Sequence, residues 1–191
     1  AAVVRKAVKD AVPDNQFKIR LHPITYEKIA AMNVPEFVGA LIKDEKIKTK
    51  PIFLLGQSIG GAIGIYLASR KESHNVFKAV IFESPFKSYR RIVRDKLSDF
   101  WLTFPFNYLL SIAISEKYDP YDYIGKISPT PLLLIQTEKD EIIPSYHTED
   151  LFEKAGEPKE LWKVPDAYHI QTFRMESYRQ KLVDYLNNFK F

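Results

Sequence analysis

The stretch "PIFLLGQSIGGAIGIYLASR", residues 51–70, decides how this chain is read. It begins as an apolar run, turns through Gly56-Gln57-Ser58-Ile59-Gly60-Gly61, and continues with helical spacing. Branched apolar residues bounded by glycine read as a buried strand, and the small residues behind them as a tight turn into a helix. A serine at that junction is lifted above the end of the sheet, because small neighbours at Gly56 and Gly60 remove side-chain clashes from the turn. The helix starting at Ile59 points its N-terminus at the same place. The Ile59 N–H and the positive end of the helix dipole are then positioned to stabilise a developing oxyanion. The geometry exposes a nucleophile; a glycine-rich turn carrying an idle serine is the plain alternative.

Outward from this stretch the pattern repeats. The runs 52–56, 78–83, 131–136 and 160–164 alternate with segments of helical period expected at 59–70, 87–99, 146–155 and 171–189. Strands separated by helices predict a parallel sheet, and runs that are apolar on both faces predict helices on each side of it. The fold expected is α/β, a three-layer α/β/α sandwich with a mostly parallel sheet. Lys163 marks the run at 160–164 as an edge strand, and Ser145 is a candidate helix cap. Before residue 51, a helix is expected over 34–47, a short half-exposed strand over 17–22 and a weak amphipathic helix over 1–12.

Composition bounds the rest. A chain of 191 residues, 46% hydrophobic and 27% charged, fits one globular domain that buries roughly two thirds of its unfolded surface. It has no cysteine, which removes disulfides, thiolate metal sites and a cysteine nucleophile, and fits a reducing compartment such as the cytoplasm. The start "AAVVRKAVKDAVPDN" is too charged for a signal peptide, and "FWLTFPFNYLLSIAIS" at 100–115 is too short and too broken by Pro105 to span a membrane. The net charge of +4 is mostly mixed with acids. Only "FKSYRRIVRDK" at 86–96 concentrates it, and a solvated helix face is its plain reading, ahead of an anionic ligand or membrane surface. No basic stripe with interleaved aromatics recurs, so nucleic acid is not an expected partner.

A serine hydroxyl needs a base, and the base needs an acid to hold its tautomer. Of four histidines, His22 precedes the serine, His74 lies in a polar connection and His147 falls within an expected helix. His169 alone follows the last strand. In "PLLLIQTEKDEIIP", Asp140 sits in the loop beyond its strand; Glu138 and Glu141 read as solvated loop charge. Glu83, directly after the second strand, is a second candidate acid. Asp166 lies too close to His169 on one loop to be preferred.

Ser58, Asp140 and His169 therefore occur in the order Ser, Asp, His, each just past an expected strand end. "IFLLGQSIGGAIGIYLAS", "PTPLLLIQTEKDEIIP" and "ELWKVPDAYHI" resemble the nucleophile elbow, acid loop and histidine loop of the α/β-hydrolases, over roughly residues 26–190. The likeness runs to the small serine-aminopeptidase-like and esterase-like branch. It implies a Ser-His-Asp serine hydrolase with no metal or organic cofactor, acting on carboxylic esters or thioesters of small or acyl substrates. In that reading Ser58 attacks, His169 serves as base and then acid, Asp140 supports the imidazolium, and Ile59 N–H gives one oxyanion donor. A small cap over the site is implied at about 86–128, with Phe100, Trp101, Phe104, Phe106 and Tyr108 suited to an apolar group.

Residues 1–50 hold no His-Gly pair, the family's source of a second oxyanion donor, and little room for the strands that usually precede the elbow. Further N-terminal chain, "FKIRLHP", or a second subunit in a homo-oligomer would each complete the sheet edge; the first is the most economical. An inactive binding module and an aminopeptidase-like enzyme are the competing functions. A free-amine substrate calls for a carboxylate cluster, to which Glu83 is the obvious contributor.

Overall fold

A computed structural model describes residues 51–99, 111–112 and 114–189. The elements expected at 1–12, 17–22 and 34–47, His22, and the aromatic run Phe100 to Tyr108 lie outside the described residues. The four apolar runs form one sheet. Its strands are β1 (Ile52–Gln57), β2 (Phe77–Glu83), β3 (Leu132–Thr137) and β4 (Lys159–Val164), in the order β1-β2-β3-β4 with every neighbouring pair parallel. Parallel pairing sends every carboxyl end to one rim, where Gln57 pairs with Glu83, Glu83 with Ile135 and Thr137 with Val164.

Alternation along the strands feeds two cores. Val80, Phe82, Leu132 and Leu134 pack with Ile65 and Leu67 of helix α1 (Ile59–Ala68). Ile81, Leu133, Ile135, Trp162 and Val164 face the other way. Apolar area on both faces makes a helical layer on each side favourable, at roughly 1.5–3 kcal/mol for each large side chain buried. Helix α2 (Tyr89–Ser98) follows β2, and Ser88 Oγ caps it by accepting the Arg91 N–H at 3.1 Å. Its basic face is solvated, with Arg90 paired to Glu116 and Arg91 to Asp95. The short helix α3 (Pro120–Tyr123) has proline in its first turn.

Helix α4 (Tyr146–Lys154) precedes β4 and brings Leu151 to the first core; helix α5 (Glu176–Asn187) brings Leu182 and Leu186 to the second. Two expectations need correction here. Ser145 occupies the cap position of α4 but is itself in helical conformation, and its side chain makes no capping bond. Pro144 has already begun the turn by accepting the His147 N–H. The final helix does not begin at 171: a single 3-10 turn, Thr172–Arg174, comes first and extended Met175 separates the two. Among the described residues, no helix is long and apolar enough to cross a membrane.

Candidate active site

At the end of β1 the backbone reverses within one residue. Ser58 takes φ 53° and ψ −124°, a conformation sparsely populated by non-glycine residues, and α1 begins immediately after it. The turn is held by Ser58 N–H donating to Glu83 O at 2.9 Å and by Gly61 and Ala62 N–H groups donating to Ser58 O. Gly56 is indispensable to it, since a Cβ there would lie 2.4 Å from the carbonyl oxygen of Gly60. Gly60 is not: its Cβ would meet nothing within 4 Å, so the expectation that it relieves a clash is corrected. Gly61 sits closer, its Cβ 3.2 Å from Pro85 Cβ. Ile59 opens the helix, where N–H groups precede the intrahelical ladder and face outward from its positive end.

The loops after β3 and β4 bring a second pair together. Asp140 Oδ2 lies 2.8 Å from His169 Nδ1, with the carboxylate side chain 2% exposed and the imidazole 14%. The same Asp140 oxygen accepts from Thr137 Oγ1 at 2.9 Å, while Oδ1 accepts the Ile142 and Ile143 N–H groups at 2.9 and 2.8 Å. Burial alone would push the carboxyl up. The bonds from His169, Ile143 and Ile142 outweigh it and bring Asp140 from 3.8 down to about 2. With no proton of its own, the carboxylate holds His169 in the tautomer that carries hydrogen on Nδ1, leaving Nε2 as an acceptor. Ser58 Oγ is not hydrogen-bonded to His169; such contacts commonly tighten only when substrate binds.

The other candidates sort clearly. Glu138 and Glu141 are exposed, Asp166 is exposed and paired with Lys139 at 2.9 Å, and His74 is exposed. His147 is wholly buried against Asp95. Glu83 is wholly buried and does not reach His169: it accepts from Gln57 Nε2 at 2.5 Å and from the Thr172 N–H at 2.9 Å. Among the described residues no cluster of His, Asp or Glu is placed to hold a metal ion.

The family model described as the prolyl oligopeptidase family matches residues 31–190. The chain belongs to the prolyl oligopeptidase family of α/β-hydrolases. Protein YfhR of Escherichia coli (strain K12) is 36% identical over 143 residues, 73% of this chain and 46% of that protein. Alpha/beta hydrolase domain-containing protein 17B of Homo sapiens is 30% identical over 141 residues, 74% of this chain and 43% of the human protein. The chain therefore spans about half the length of the curated relatives it matches. Among solved structures, the esterase domain of a Rhodothermus marinus protein superposes with a TM-score of 0.63 at 17% identity, over 99% of this chain and 79% of that one. That likeness is one of fold.

Several residues of this α/β-hydrolase site escape a reading of sequence alone. Ser84 takes φ 46° and donates to Thr137 Oγ1 at 2.8 Å, extending the chain of bonds behind Asp140. Ile170, directly after His169, takes φ 51°, a genuine outlier for a β-branched residue. Neither position carries a local signal, because a serine after a strand and an isoleucine in a loop are ordinary in any sequence. Of the four non-glycine residues with positive φ among the described residues, Ser58, Ser84 and Ile170 lie at the carboxyl-end rim of the sheet, and the fourth, Asn75, lies just before β2.

Proposed function

We propose that this α/β-hydrolase is a serine hydrolase that cleaves carboxylic ester or thioester bonds of apolar acyl groups through Ser58, His169 and Asp140. The observation that carries the reading is the 2.8 Å bond between His169 Nδ1 and a buried, fully satisfied Asp140, in loops that follow β3 and β4. Ser58 Oγ attacks the carbonyl carbon while His169 Nε2 takes its proton, and the imidazolium is supported by Asp140. The Ile59 N–H receives the oxyanion. Collapse expels the alcohol or thiol, which takes the proton from His169, and water then releases the acid by the same steps. Ile59, Ile142 and Ile170 are all exposed, each within two residues of one member of the triad, and favour an apolar acyl group. An aminopeptidase is less well supported, because both oxygens of Glu83 are engaged and the residue is buried away from any substrate ammonium.

A fluorophosphonate probe tests the reading on the whole chain. Labelling that disappears in Ser58→Ala is expected, as is hydrolysis of p-nitrophenyl esters that improves from acetyl to longer acyl groups. A folded wild-type chain that neither labels nor turns over any ester would establish the inactive binding module instead.

A further inference from the structure

The serine turn and the histidine loop meet on one buried residue at the end of β2. Glu83 is 0% exposed, and its main-chain carbonyl accepts the Ser58 N–H at 2.9 Å. Its carboxylate Oε2 accepts from Gln57, the residue before Ser58, at 2.5 Å, and Oε1 accepts the main-chain N–H of Thr172, three residues after His169, at 2.9 Å. The Thr172 hydroxyl is buried without a partner, so the tie to the histidine loop runs through the backbone rather than through the choice of side chain. Buried acceptors of this kind are costly to leave unpaired and correspondingly rigid when satisfied. We infer that Glu83 is a positioning residue, a clamp that fixes the spacing between the serine turn and the histidine loop. It touches no reacting atom and acts through Gln57 and Thr172.

The assignment explains two features that the proposed triad leaves unused. A carboxylate is spent in the core at the end of β2 although Asp140 already partners His169, and the last helix is delayed behind the Thr172–Arg174 turn. Thr172 N–H, the first donor of that turn, is given to Glu83 and sets where the loop begins to fold back. Ile170 is held at φ 51° between the two fixed points, His169 bound to Asp140 and Thr172 bound to Glu83.

This inference rests on the hydrolase reading, and its test separates the two. In Glu83→Leu both donors lose their acceptor: kcat for a p-nitrophenyl ester is expected to fall at least tenfold, by the loss of alignment on which such transfers depend, with KM changed less than about twofold. Glu83→Gln keeps an acceptor for Thr172 N–H, and a turned-over Gln57 amide restores the second bond, so kcat within about threefold of wild type is expected. A folded Glu83→Leu with wild-type kcat, or a Glu83→Gln as impaired as Glu83→Leu, overturns the clamp. If Glu83→Leu does not fold, Gln57→Leu removes one of the two donors to the Glu83 side chain and is expected to lower kcat about threefold or more at unchanged KM; wild-type kcat there overturns the clamp. The downfield NMR signal of the His169 Nδ1 proton reads the loop without turnover. It is expected to broaden in Gln57→Leu and in any folded Glu83→Leu, and its persistence in either overturns the clamp even in a chain whose Ser58 never labels, whereas absence of labelling in wild type overturns only the hydrolase reading.

Discussion

Asp140 is held by four donors, and their combined effect decides its behaviour in acid. Because its native value of about 2 lies below the unfolded value, the stability it contributes is present above about pH 4 and is lost as pH falls through 2. The difference is worth on the order of 2 kcal/mol. Asp140→Asn removes the charge and reverses the preferred tautomer of His169, so kcat is expected to fall on the order of 10⁴-fold with KM little changed, measured on the best p-nitrophenyl ester. The two elbow glycines behave differently. Gly56→Ala drives a Cβ into the Gly60 carbonyl and is expected to abolish labelling and destabilise the fold, whereas Gly60→Ala meets open space and gains up to about 1 kcal/mol from helix propensity in urea unfolding. At Ile170 the strain is local, and asparagine tolerates a left-handed backbone better; Ile170→Asn is expected to raise stability by about 1 kcal/mol.

Helices α2 and α4 are joined by a partly buried polar cluster around the fully buried His147. His147 Nδ1 accepts the Lys87 N–H at 3.2 Å, its Nε2 lies 3.1 Å from Asp95, and the Tyr146 hydroxyl donates to the same Asp95 carboxylate. Arg91 pairs with Asp95 from the exposed side and Lys87 with Asp150. Burial lowers His147 to about 4, with Asp95 pulling upward and the Lys87 and Arg91 charges downward. A buried neutral imidazole that the unfolded chain protonates near 6.5 contributes stability above that pH and loses it as pH falls from 6.5 through 4. The swing is on the order of 3 kcal/mol, and it is separated from the Asp140 window at lower pH. His147→Asn, which keeps an acceptor for the Lys87 N–H, is expected to flatten the stability profile between pH 6.5 and 4.5 in urea titrations. This cluster was invisible beforehand. The helix over 146–155 could be read from its periodicity, but that His147 faces inward onto Asp95 depends on how α2 lies across α4.

Among the described residues, the sheet separates the two larger of three hydrophobic clusters, and neighbouring residues on a strand serve different ones. Leu134 packs with α1 and α4, while Leu133 packs with Trp162 and α5. Each leucine-to-alanine change is expected to cost about 2–5 kcal/mol. Because the two side chains share no core, their double mutant should couple by less than about 1 kcal/mol, a value that a urea cycle measures and that a single continuous core would exceed.

The four strands among the described residues, their parallel order, the elbow and the identities of Ser58, Asp140 and His169 as site candidates were determined by the amino-acid sequence itself. Those features are local: apolar runs and helical periods depend on side chains a few residues apart, and parallel strands must place the loops that follow them at one rim. Tertiary structure alone decided which carboxylate meets His169, and so turned Glu83 from a rival acid into a buried acceptor for Gln57 and Thr172. It also decided that Gly60 is free while Gly56 is not. The first choice is set by distances between segments far apart in the chain and the second by how closely the turn at Ser58 folds back on itself, and neither propensity nor spacing responds to either.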